Sequence, residues 1–260
     1  MQRIWRMMAV GVIAAAGWTS AQAAEPGMMT EVDFERRGVE PLGDTGLEAT
    51  LNKARLVDSP VRSGKRALQV TLERTVIDGK PDYRTDFWIK GMSKSFKPGE
   101  TYWYGFSVQF PADWEPDTQA ELFAQWIGGN GGSPPLAIYV RGDEYQVTSR
   151  PKAGDPANVL WAGPVTPDRG KWVDWVFEIR WSSAADGQIR VWKNGKQLVD
   201  ATCPNMAPVD PAPYFKFGIY KWPWKGSTKE APSKVTRRVL YFDEIRIGNA
   251  QAGRAAVSPR

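Results

Sequence analysis

The heptapeptide Tyr214-Phe215-Lys216-Phe217-Gly218-Ile219-Tyr220 carries two phenols and an ammonium at alternate positions. In an extended strand alternate side chains share a face, so Phe215, Phe217 and Ile219 point one way and Tyr214, Lys216, Gly218 and Tyr220 the other. An ordinary solvent face carries Thr, Ser, Glu and Lys. This one offers a proton carrier, a cation, and a glycine over which a ligand could approach the backbone. Such a face could do acid–base chemistry on an anionic substrate, although a pair of surface tyrosines with a snorkelling lysine would give the same pattern.

Other segments repeat the theme. In Arg84 to Lys90, alternation turns Phe87 and Ile89 inward and Arg84, Asp86, Trp88 and Lys90 outward. Tyr139 and Arg141 oppose Leu136, Ile138 and Val140, while Arg190 and Trp192 oppose Ile189 and Val191. Gln125 shares its parity with Phe123 and Ile127, so pattern alone leaves its side open. Aromatic faces stack on sugar rings and guanidinium groups hold carboxylates in bidentate fashion. Tyr214, Tyr139, Arg141, Arg190, Trp192 and Trp88 are therefore candidate substrate-binding residues, and an acidic, uronic-acid polysaccharide is a better partner for them than a neutral glucan.

Composition narrows the chemistry. The chain has no histidine, which removes Ser-His-Asp and Cys-His nucleophile systems and His-based zinc sites. Its single cysteine, Cys203, excludes an internal disulfide framework and reads as an inert apolar residue. Catalysis must run on carboxylates, Tyr, Lys, Arg and amides. The opening residues read as a secretory signal: Arg3 and Arg6, the apolar run Met7 to Gly17, and Ala21-Gln22-Ala23 as a cleavage site. Residues 1–23 are expected to be removed and residues 24–260 to form one exported domain, periplasmic or secreted. Losing two arginines takes the formal charge from +5 to +3, or 32 Lys and Arg against 29 Asp and Glu. That mild excess gives no reason to expect nucleic acid or a membrane surface as partner, and a monomer is expected.

The elements that must position these residues are almost all strands. Lys171 to Trp181 alternates Val173, Trp175, Phe177, Ile179 and Trp181 with more polar positions, and no convincing helix follows the signal. Asn194-Gly195 predicts a tight hairpin turn. Strands are expected at Leu47 to Leu56, Arg66 to Glu73, Asp86 to Lys90, Tyr102 to Phe110, Glu121 to Trp126, Leu136 to Arg141, Tyr145 to Arg150, Tyr214 to Tyr220 and Arg238 to Ile247. With 25 Gly and 20 Pro between them, they predict an all-β, two-sheet sandwich of jelly-roll type.

Three of these segments carry a family resemblance. Tyr214 to Tyr220 is similar to the Tyr-Phe-Lys-Ala-Gly-X-Tyr signature of jelly-roll alginate lyases, and its Lys-x-x-x-Tyr spacing resembles heparin lyase I and glucuronan lyases. Tyr83-Arg84-Thr85-Asp86-Phe87 resembles their Arg-Thr-Glu-Leu strand, and Ala124-Gln125-Trp126-Ile127 their Gln-Ile-His, in the same order along the chain. Asp86 stands where the family has Glu, and Ile127 where it has His. The resemblance implies a concanavalin A-like jelly-roll polysaccharide lyase that works by β-elimination. By the same resemblance Arg84 and Gln125 would neutralise the uronate carboxylate, and Tyr220, assisted by Lys216, would serve as base and acid. No cofactor is implied.

Two other classes fit parts of the chain. Glu31-Val32-Asp33-Phe34-Glu35 matches the Glu-X-Asp-X-Glu pattern of laminarinase-like retaining glycosidases, whose two carboxylates must stand about 5 Å apart. A lectin-like binding module would keep the aromatic, basic face without the chemistry. Asp243, whose parity places it with buried residues, is expected either to be hydrogen-bonded or to belong to a structural calcium site.

Overall fold

The computed structural model describes residues 25–45, 53–128, 132–152, 154–209, 211–226 and 231–260. The expected signal segment, and the first half of the strand expected over Leu47 to Leu56, lie outside these. Seventeen strands occur among the described residues, numbered in chain order, and fifteen of them build two large antiparallel sheets. The first runs β15 (Lys196–Thr202), β14 (Gln188–Lys193), β13 (Trp172–Arg180), β8 (Thr101–Gln109), β17 (Arg237–Asn249), β4 (Ala67–Glu73) and β3 (Ala54–Val57), with β1 (Met28–Val32) also paired to β17. The second runs β12 (Asn158–Pro164), β11 (Glu144–Ser149), β10 (Leu136–Gly142), β9 (Asp117–Ile127), β16 (Tyr214–Tyr220), β7 (Arg84–Ile89) and β2 (Leu42–Thr45). A small hairpin, β5 (Val76–Ile77) and β6 (Lys80–Pro81), leads into β7.

The inner faces meet through aromatic rings, as the alternation in β13 and β16 predicts. Phe106 of the first sheet lies 5.3 Å from Phe215 of the second, Phe177 lies 4.5 Å from Trp126, and Phe242 lies 5.2 Å from Phe217. Each such ring removes 150–250 Å² from water, a gross gain of roughly 4–6 kcal/mol. This layer makes the expected sandwich and fixes which way every strand residue points.

Two local features were not visible in the pattern. The five-residue helix α1 (Gly253–Val257) lies against the outer face of the first sheet, where Val257 packs with Val176 and Trp192. The fit is close enough that a Cβ on Gly105 would lie 1.7 Å from the Val257 carbonyl oxygen. The second feature is a bulge in β9: Ala124 pairs with Ile138 but Leu122 pairs with Tyr139, which leaves Phe123 as an extra residue. Phe123 and Ala124 therefore both enter the core, and Gln125 emerges on the outer face.

Asp243 on β17 is fully buried, and its carboxylate accepts from the amides of Arg62 (3.0 Å), Ser63 (3.3 Å) and Glu244 (2.8 Å). The hydrogen bonds expected of it are present. No cluster of three potential metal ligands occurs among the described residues. Burial outweighs the amides and pushes its pKa up to about 6. A carboxyl that holds its proton more tightly folded than unfolded stabilises the fold fully below the ordinary carboxyl range, and that contribution is lost as pH rises through about 6. The urea midpoint is expected to decline between pH 4 and 7, and Asp243→Asn to flatten this decline by about 2–3 kcal/mol. Parallel profiles for the two proteins would contradict this.

Candidate active site

Strand β16 presents Phe215, Phe217 and Ile219 to the core and Tyr214, Lys216, Gly218 and Tyr220 to the outer face of the second sheet. Register then fixes the neighbours. Lys216 stands between Trp88 on β7 and Gln125 on β9, Gly218 faces Asp86, and Tyr220 faces Arg84. Gly218, at φ +132°, has a reason other than ligand access: a Cβ there would lie 2.3 Å from the Thr85 carbonyl oxygen and 2.7 Å from the Asp86 Cα. The glycine lets β7 come close rather than a substrate.

A cavity of about 960 Å³ opens over this face. Arg84, Gln125, Tyr139, Arg141 and Tyr220 line it, as does Ile127, in the position where the family resemblance would put an imidazole. Arg150, Trp222 and Lys225 line it too, although alternation did not single them out. Trp222 and Lys225 belong to a 3-10 turn just past the end of β16, beyond the reach of a strand pattern. The described lining residues include four cations and no acid. Trp222 packs edge-on against both Tyr139 (5.4 Å) and Tyr220 (6.0 Å), so aromatic edges and faces alternate along the groove. Burial raises the Tyr139 phenol above its ordinary pKa, with nearby Arg150 opposing the rise.

Beneath the groove floor lies one carboxylate, Asp86, only 1% exposed. Its Oδ2 accepts from Gln125 Nε2 (3.0 Å), Arg84 Nη2 (3.2 Å) and Lys216 Nζ (2.9 Å), and its Oδ1 lies 3.1 Å from Arg84 Nε. A buried charge persists only when compensated in this way. Lys216 is itself 2% exposed, and burial lowers its pKa despite the opposing pull of Asp86. It is paired with Asp86, on the same face of β16 as Tyr220. Among the described residues, Arg84 lies over the Tyr220 ring with its guanidinium carbon 4.3 Å from the centroid, and Lys225 lies at 5.9 Å. Trp88, on whose ring Lys216 lies at 5.9 Å, and half-buried Tyr214 stand on the same sheet face beside the cavity.

Arg190 and Trp192 do not join the groove, because their strand β14 belongs to the first sheet. Arg190 bridges Glu178 (2.9 Å) and Asp200 (3.2 Å), while Trp192 stacks on Trp103 and is covered by the C-terminal helix. Alternation tells which face a residue takes but not which sheet its strand joins. The glycosidase-like motif also separates. β1 ends at Val32 and Phe34 adopts φ +62°, which breaks the alternation. Glu31 pairs with Arg246 at 2.9 Å, while Glu35 accepts from the Lys65 and Arg66 amides. These acids lie at the first sheet and face different partners.

The turn that carries Trp222 and Lys225 is anchored by Lys221, which is fully buried. Its Nζ donates to the Gln119 carbonyl (2.7 Å) and pairs with Asp117 (2.8 Å) and Glu121 (3.2 Å), and Arg238 pairs with Glu121 at 2.8 Å. Its backbone amide also donates to Tyr83, tying the turn to the start of β7.

Comparison with known proteins gives a consistent picture. A family model described as polysaccharide lyase matches residues 15–246. No curated protein matches the chain. In fold the chain is similar to the endo-β-1,4-glucuronan lyase of the fungus Trichoderma reesei, at TM-score 0.64 and 21% identity, covering 84% of this chain and 97% of that one. It is also similar to alginate lyase Aly36B, at TM-score 0.53 and 15% identity over 80% and 87% of the two chains. The catalytic domain of a glycoside hydrolase family 131 protein from Coprinopsis cinerea shares the fold at TM-score 0.53 and 15% identity, over 79% of this chain and 83% of that one.

Removing the Lys221 ammonium would leave Asp117 and Glu121 buried with too little positive charge. Lys221→Met is expected to cost about 3–5 kcal/mol in urea unfolding. A loss below about 1 kcal/mol would show that the network does not hold the turn.

Proposed function

This chain belongs to the polysaccharide lyase family and is a lyase, and on that premise we propose that it cleaves a uronic-acid-containing polysaccharide by β-elimination. The observation that carries this reading is the pairing of a groove lined by four cations and no described acid with a phenol, Tyr220, at its floor. An anionic sugar chain gains charge-assisted hydrogen bonds from cations along such a groove, and a neutral glucan does not.

In the proposed mechanism the uronate carboxylate is neutralised by donors from Arg84 and Gln125, which makes the proton on C5 removable. Tyr220, as phenolate, takes that proton. The electron pair forms the C4=C5 double bond as the C4–O4 bond breaks, and the phenol returns the proton to the leaving O4. Arg84 and Lys225 over the ring offset the charge that the phenol oxygen carries during transfer. Tyr139, Arg141 and Arg150 serve the neighbouring sugars, with Trp88 and Tyr214 beside them. The basic, apolar and small-residue opening of the sequence supports export to the periplasm or beyond the cell.

One phenol can serve both steps only where the C5 proton and O4 lie on the same side of the ring, as in glucuronate and mannuronate. With Ile127 in that position, the groove offers no imidazole to act as a separate base on the opposite side. Glucuronan is therefore the first expected substrate and polymannuronate the second, with little action on guluronate or iduronate blocks. Tyr220→Phe is expected to abolish formation of the unsaturated chromophore while affinity electrophoresis shows nearly unchanged retention, because the ring still packs. Near-wild-type turnover in Tyr220→Phe, or faster cleavage of polyguluronate, would overturn this assignment. Retention of glucuronan should also weaken as salt rises.

A further inference from the structure

We propose that Asp86 is a positioning residue for the elimination, holding Arg84 at a fixed place over Tyr220 and Gln125 beside it. The inference rests on the function proposed above and concerns what sets the geometry of that site. Arg84 turns Nε and Nη2 towards Asp86, at 3.1 and 3.2 Å, which leaves Nη1 and the second Nη2 hydrogen for a substrate carboxylate. The same contact brings the guanidinium to 4.3 Å from the Tyr220 ring centroid. A lone arginine on a groove floor has several rotatable bonds and no reason to stay there. Gln125 spends one Nε2 hydrogen on Asp86 and keeps the other. Lys216 completes the cluster at 2.9 Å from Asp86.

Charge supports the same role. Neutralising Asp86 leaves the groove floor more positive, so it attracts an anion at least as strongly, but Arg84 is no longer aimed. Loss of position and loss of binding therefore come apart, as they do not when a residue only supports the fold.

The test compares kcat and KM on glucuronan for wild type, Asp86→Asn and Asp86→Glu, with urea unfolding alongside. Asp86→Asn is expected to lower kcat by about 100-fold, the order of loss for a misplaced catalytic group, with KM unchanged or lower. Asp86→Glu, which keeps the charge and moves the guanidinium by about one methylene, is expected to fold and to lose about tenfold in kcat at unchanged KM. Should Asp86→Asn fail to fold, Asp86→Glu decides alone: unchanged kcat overturns the proposal. A parallel worsening of kcat and KM in either variant would make Asp86 a structural anion and overturn it as well. If wild type yields no unsaturated product from any uronan, the proposed function itself is what fails.

Discussion

A carboxylate taken out of water must be surrounded by donors, and Asp86 obtains them from three adjacent strands: Arg84 on its own β7, Lys216 on β16 and Gln125 on β9. The rest of the site follows from this requirement. It needs β16 in the middle, with glycine at position 218 so that β7 can approach. It needs the β9 bulge, which brings Gln125 out onto the groove face while Phe123 and Ala124 stay in the core. It also needs a rigid underside, which Phe215 and Phe217 provide against Phe106 and Phe242 of the facing sheet. The geometry of the groove floor is thus fixed by packing below.

Much of this was legible in the sequence because strands write their two faces in alternation. Phe215, Phe217, Ile219, Val173, Trp175, Phe177 and Ile179 all turn inward as the pattern predicts, and Asn194-Gly195 makes the expected turn with both residues at positive φ. What alternation could not supply has physical reasons. A bulge adds one residue and flips parity, so Gln125 was undecided. Sheet membership is a long-range property, so Arg190 and Trp192 shared the chemistry of the groove residues yet belong to the opposite sheet. Turns have no period, so Trp222 and Lys225 left no signal. Asp243 showed its burial by parity, but its three amide partners come from chain segments far apart or from the bulge beside it.

The chain has no histidine, so proton transfer falls to the side chains that remain. In the proposed mechanism a phenol flanked by cations takes the place of an imidazole, and its placement on one side of the sugar links the fold to the stereochemistry of the substrate. The fold alone would be compatible with hydrolysis or with binding only. The central claim, elimination rather than hydrolysis, is most directly tested by mass spectrometry of glucuronan fragments produced in water enriched in heavy oxygen, with analysis before anomeric exchange. Elimination predicts new non-reducing ends lighter by one water than hydrolytic ends, with no heavy oxygen at the new reducing ends. Fragments of full hydrolytic mass carrying the heavy label would contradict the account.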